Sequence, residues 1–183
     1  KSMEEIGIND YSVFSMNEND TRSQFDNRLT KGMYVVNCLN KVLPDASPEG
    51  TCMLFFTIPY MPGDFPETVS ARDYKKYKNK IAEEYIKDYE QALGVSGTPY
   101  IEEIAVATPV TFARYLATPE GAIYGYANEE WDNVVARTML EPLEYSIPNL
   151  QFCGGHYVRG DGYPSAYITG AMAADSVIKQ LRE

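Results

Sequence analysis

The chain has 183 residues, 44% of them hydrophobic, long and apolar enough for one domain with a real core. A formal charge of −10 and a pI near 4.6 argue against a phosphate-backbone partner, because nucleic-acid binding needs a basic stripe and none is present. The longest apolar run, Cys52 to Phe56 with Ile58 close by, is far too short to span a bilayer, and no basic start leads into an apolar stretch of signal-peptide type. Cys38, Cys52 and Cys153 are odd in number and scattered, which reads as reduced thiols of a cytoplasmic protein and not as a disulfide framework.

In chain order, a strand is expected near Tyr11–Met16, followed by an exposed polar loop through Asn17 to Arg22. Met33–Leu39 and Thr51–Ile58 are β-branched and aromatic, with the turn residues Pro44, Asp45, Pro48 and Gly50 between them. That pattern predicts two neighbouring antiparallel strands, and apolar residues on both of their faces predict a covered sheet. A long helix is expected from about Ala71 to Leu93, with Ser70 and Asp73 as a capping box and Gly94 as its stop. Tyr77, Ile81, Tyr85, Tyr89 and Leu93 recur every four residues and form a packing stripe, while lysines and acids cover the other side. Ile101–Ala107 reads as a further strand. Thr108 and Pro109 then read as N-cap and first residue of a short helix running through Phe112 to Leu116. Trp131 to Glu144 reads as a partly helical connection.

The last segment carries the chemistry. Leu150-Gln151-Phe152-Cys153 is an expected strand that runs into Gly154-Gly155-His156. Gly160-Asp161-Gly162-Tyr163-Pro164 follows, then a small-residue helix from about Ser165 to Leu181. Such a turn aims a helix N-terminus, with unpaired N–H groups and partial positive charge, at whatever lies in front of it. Its glycines let backbone approach a ligand closely, and an ordinary tight turn explains them equally. Ala166, Gly170 and Ala174 at a spacing of four allow close helix packing. His156 is the single histidine and reads either as a general base or as a turn residue bonded to solvent or backbone. Cys153 and His156 supply two ligands, too few for a zinc site, so no metal is expected.

These residues, together with Thr108 to Tyr115 and Pro119-Glu120-Gly121-Ala122-Ile123-Tyr124-Gly125, resemble a group of FAD-dependent oxidoreductases: the phytoene desaturases, carotenoid isomerases and retinol saturases. The resemblance implies flavin contacts at Gly154, Gly155, His156, Gly162, Tyr163 and Ser165, with backbone N–H groups near the pyrimidine side of the isoalloxazine. It implies substrate-side positions at Arg114, Tyr115, Ala122 and Tyr124, though Arg114 reads equally as a surface ion-pair residue. No protein nucleophile is required, because in such enzymes the flavin accepts the hydride, and catalytic residues stay unassigned. Many relatives carry an acidic residue after the glycine that ends the strand, where this chain has Gly155-His156.

The Gly-x-Gly-x-x-Gly turn that holds the FAD pyrophosphate does not occur in the chain. The expectation is therefore an α+β fragment: residues 1–148 as most of a substrate-side domain with a mixed, largely antiparallel sheet under the long helix, and residues 149–183 as the strand–turn–helix of a flavin domain. Such a fragment is not expected to hold FAD alone, and it is expected to self-associate through its C-terminal helix. Two other classes stay open: a stand-alone module for a lipid-like ligand, and a subunit that completes a flavin site on another chain.

Overall fold

A computed structural model describes residues 2–16, 32–60, 69–123, 147–155, 157 and 162–182. The chain divides into two compact units, Lys1–Thr108 and Pro109–Glu183. The α+β class is as the sequence predicts.

In the first unit, β1 (Ser12–Ser15), β2 (Tyr34–Cys38) and β3 (Leu54–Thr57) form a three-stranded antiparallel sheet in the order β1-β2-β3. Val13 pairs with Val36 and Val36 with Phe56, so these three side chains share one face. Helix α1 (Tyr74–Leu93) covers that face with its tyrosine stripe. Tyr85 and Tyr89 are buried and Tyr77 and Ile81 half-buried, but Leu93, expected in the same stripe, is exposed in the last turn before Gly94. The Tyr85 ring meets Tyr34 edge-on at 5.2 Å. The Tyr89 ring meets Phe56 in the same way at 5.5 Å. Edge-to-face pairs of this kind add about 0.5–1.5 kcal/mol each beyond the area they bury. The Tyr34 hydroxyl donates to Asp88 Oδ2 at 2.6 Å, which satisfies its polar end inside the core.

Both ends of α1 follow the sequence signals. Asp73 N–H donates to Ser70 Oγ at 3.1 Å and the Ser70 hydroxyl donates to Asp73 Oδ2 at 2.6 Å, one turn before the first regular residue. Gly94 ends the helix at φ +66°, a backbone conformation that suits glycine. Beyond it, Glu90 takes hydrogen bonds from Thr98 N–H at 2.6 Å and Thr98 Oγ1 at 2.8 Å. Burial pushes the Glu90 carboxyl up, but these bonds outweigh it and leave its pKa lowered.

Two expectations need correction here. Ile101–Ala107 forms no strand: it runs as irregular chain beside α1, held by Lys78 Nζ on the Val106 carbonyl at 3.2 Å and by a hydroxyl contact of Tyr74 with Thr108. Its apolar residues do not enter the core, and Ile101 and Ile104 are exposed. Among the described residues, the sheet is also covered on one face only. Phe14 and Phe55 belong to the opposite face and are 67% and 55% exposed. Continuous apolar strands therefore do not mean a doubly covered sheet in this chain.

The second unit holds α2 (Pro109–Leu116), a 3₁₀ turn (Pro119–Gly121) and α3 (Tyr163–Gln180). Pro109 opens α2 as expected. Gly121 is buried at φ +73°, and a Cβ there would lie 2.0 Å from the Pro109 carbonyl oxygen. Only glycine permits that approach. Residues 150–153 are a further correction: they form no strand among the described residues. The expected connection at Trp131 to Glu144 lies outside those residues. Among the described residues, no helix is long and apolar enough to cross a membrane.

Candidate functional site

The glycine turn and the start of α3 are assembled by backbone. Gly154 has φ +141° and Gly162 has φ +93°, both in regions that side-chain-bearing residues rarely adopt. Gly155 lies against Gly162: a Cβ on Gly155 would sit 3.2 Å from the Gly162 carbonyl oxygen and 3.5 Å from its nitrogen. Two strands of backbone therefore touch where a larger residue would push them apart. Helix α3 begins with the Ala166 N–H on the Gly162 carbonyl at 3.1 Å, and Pro164 in its first turn has no N–H to satisfy.

Thr169 holds this arrangement. It is fully buried, and its Oγ1 accepts the Gly154 N–H at 3.0 Å. The same oxygen is 2.7 Å from the Ser165 carbonyl and 3.0 Å from the Gly154 carbonyl, either of which takes its single proton. Gly154 N–H is consumed internally. The amides of Gly155, Gly162 and Tyr163 have no hydrogen-bond partner among the described residues. Unpaired amides at a helix start suit an electron-rich atom.

The predicted cofactor residues separate accordingly. Gly154, Gly155, Gly162 and Ser165 are brought together around Thr169, with Ser165 itself buried. Tyr163 contributes its backbone at the helix start, while its side chain is 81% exposed. His156 lies outside the described residues. Of the predicted substrate-side residues, Arg114 and Tyr115 are exposed on α2 and pair with each other, the guanidinium 5.8 Å from the ring centroid. Ala122 is half-buried directly after Gly121. Tyr124 lies outside the described residues.

Thr169 was not singled out in the sequence, and Gly121 entered only as a member of the Pro119 to Gly125 motif. A usable signal for Thr169 was present: a β-branched hydroxyl residue four positions after Ser165, inside a helix otherwise rich in small residues. Such a residue is costly in a helix unless its hydroxyl bonds back to the preceding turn or to a neighbour.

Among its described residues, the first unit offers no comparable arrangement. A cleft of about 360 Å³ between α1 and the irregular segment is lined by Asn79, Glu83, Ile101, Glu102, Glu103 and Ile104. Three carboxylates on a solvent-facing wall read as a hydrated surface. Burial first, then its neighbour Cys38, raises the pKa of Cys52, which disfavours the thiolate that a nucleophile needs.

No protein-family profile matches the chain, and no solved structure matches it. Similar proteins include the phytoene desaturases of Fusarium fujikuroi and of Gibberella fujikuroi, each 22% identical over 161 residues, which is 80% of this chain. The chain spans 28% of the length of those relatives. Identity at that level supports a distant relationship to phytoene desaturases.

Proposed function

We propose that the chain is part of an FAD-dependent oxidoreductase of the phytoene desaturase kind, acting on carbon–carbon bonds of an apolar, polyene-like substrate. The observation that carries this reading is the similarity across 161 residues. The glycine turn fits it: the Gly155, Gly162 and Tyr163 amides suit the electron-rich N1–C2=O edge of a flavin, and a side chain on Gly155 would crowd the Gly162 backbone. In this reading residues 1–148 form most of the substrate side and residues 149–183 belong to the flavin side. When bound, FAD supplies the hydride acceptor. The chain's own part is to fix the ring edge by backbone donors and to keep water away from an aligned substrate. Arg114, Tyr115, Ala122 and Tyr124 belong to the substrate side of the proposal, and His156 to the flavin side.

A second reading, a module that holds a lipid-like ligand without redox chemistry, is favoured by one observation. The sheet face opposite α1 presents exposed Phe14 and Phe55 with no charged residue beside them in the paired strands. The C-terminal helix bears on the isolated chain in either case: Val177, Ile178 and Leu181 of this segment are exposed, and self-association through them follows.

The test compares the 183-residue chain with the product of the complete reading frame. The complete protein is expected to purify with stoichiometric flavin absorbance, and the 183-residue chain to be colourless and to sediment as a dimer or larger. A complete protein without flavin, together with retention of a fluorescent fatty acid by the 183-residue chain, would replace the oxidoreductase with the binding module.

A further inference from the structure

The hydroxyl of Thr169 does more than satisfy itself. It has no exposure to water and sits in the middle of a helix, where a threonine normally bonds only the carbonyl four residues back. Here the hydroxyl lies 2.7 Å from the Ser165 carbonyl and 3.0 Å from the Gly154 carbonyl, and its oxygen additionally accepts the Gly154 N–H from a segment fifteen residues away. With one proton and two lone pairs, this hydroxyl clips the glycine turn to the first turn of α3. The clip fixes the peptide that leads into Gly155. Gly155 in turn lies against Gly162, the residue that starts the helix.

We infer that Thr169 is the positioning residue of this site: it sets the spacing between the Gly155 amide and the Gly162 and Tyr163 amides, and so decides whether the three serve one ligand edge. The inference rests on the proposed function, which names that edge as a flavin's. It also assigns Gly154 a different role from its neighbours, since a Gly154 N–H bonded to Thr169 is unavailable to any ligand. Removing the hydroxyl frees the turn to drift, while leaving each of the three ligand-facing donors chemically intact.

Three substitutions test this. Thr169→Val keeps the shape and removes both bonds, and Thr169→Ser keeps the hydroxyl. Thr169→Cys offers a weaker acceptor and reports in place of valine if the valine variant does not fold. In the 183-residue chain, amide exchange at Gly154 is expected to be slow in the wild type and the serine variant. It should be about tenfold faster or more in the valine variant, with cysteine between. A Gly154 amide that exchanges freely in the wild type overturns the inference.

In the complete protein, FAD affinity is measured well below each variant's melting temperature. The valine variant is expected to bind about tenfold more weakly, the equivalent of one hydrogen bond, and the serine variant within about twofold of wild type. A merely structural threonine would lower the melting temperature and leave the affinity of the folded protein alone. Equal affinity in the wild type and the valine variant therefore overturns this role and leaves the proposed function standing. A complete wild-type protein that binds no FAD overturns both, and the two failures are thus told apart.

Discussion

In the Lys1–Thr108 unit the side chains withdrawn from water are mainly apolar: Ile8, Tyr34, Val36, Cys38, Tyr85, Tyr89 and Val95 form one cluster. In the Pro109–Glu183 unit the described residues that reach the same burial are Gly121, Ser165 and Thr169. Many of its described large apolar side chains lie outside, with Tyr163, Tyr167 and Leu181 each about 80% exposed. The first unit is ordered by side chains packing on a sheet, which stabilises by removing apolar area from water. The second is ordered by backbone approaching backbone and by one hydroxyl. Apolar side chains left in water gain nothing until another surface covers them. The residues that resemble a flavin-binding motif fall in the unit whose described apolar side chains stay largely exposed.

The comparison is open to breakage at its strongest point. Tyr85→Ala removes a ring packed against Tyr34 and is expected to cost about 3–5 kcal/mol. The same truncation at Tyr167, 79% exposed on α3, is expected to stay within about 0.5 kcal/mol. Urea melts of the two variants decide: similar midpoints would mean that the two units do not differ as described.

A smaller effect sharpens the account of the second unit. Gly121→Ala forces a side chain into a positive-φ position and against the Pro109 carbonyl, at an expected cost of about 2–4 kcal/mol local to that unit. Hydrogen exchange should rise in α2 and leave β2 and α1 unchanged. Loosening of α1 instead would show that the units are not independent.

The third expectation concerns the first unit alone. Burial, then the bonded Asp88 carboxylate, raises the pKa of Tyr34. Burial and then Tyr60 raise that of Tyr85, and burial with nearby Cys38 raises that of Tyr89. Each raised pKa means that the folded chain keeps a proton which the unfolded chain loses above pH of about 10. Their contribution is complete below that pH and falls as pH climbs, by up to about 1.4 kcal/mol per pH unit for each tyrosine. Urea midpoints between pH 9 and pH 11.5 should therefore drop steeply above about pH 10, and Tyr34→Phe should make the drop shallower. A flat profile would place these phenols in water.

How far the sequence foretold this depended on whether a signal was local. The Ser70–Asp73 start, the Gly94 stop and the four-residue tyrosine spacing of α1 are local chemistry, and each is found in the structure. The β2 and β3 runs were legible from their composition for the same reason. Ile101–Ala107 and Leu150–Cys153 have equally good strand composition and form no ladder. A strand needs a partner at the right distance, and composition does not state whether one exists. At the glycine turn, the residues with unusual backbone announced themselves: Gly154 and Gly162 both have positive φ. The long-range bond from Thr169 did not, because a threonine's partner fifteen residues away is set by the fold and not by its neighbours in sequence.

Strand β3 ends the sheet, and from Thr51 to Ile58 the chain carries no charge and no proline. Its free edge pairs with no other strand among the described residues. An uncharged, aromatic edge of this kind is a template for the same segment of another copy, and repeated pairing of identical segments is how cross-β fibrils grow. Natural sheets usually blunt such an edge with lysine, proline or a bulge, and this segment has none of the three between Thr51 and Ile58. Pairing of copies through this edge rises with concentration, so dilution should keep the chain in solution longer.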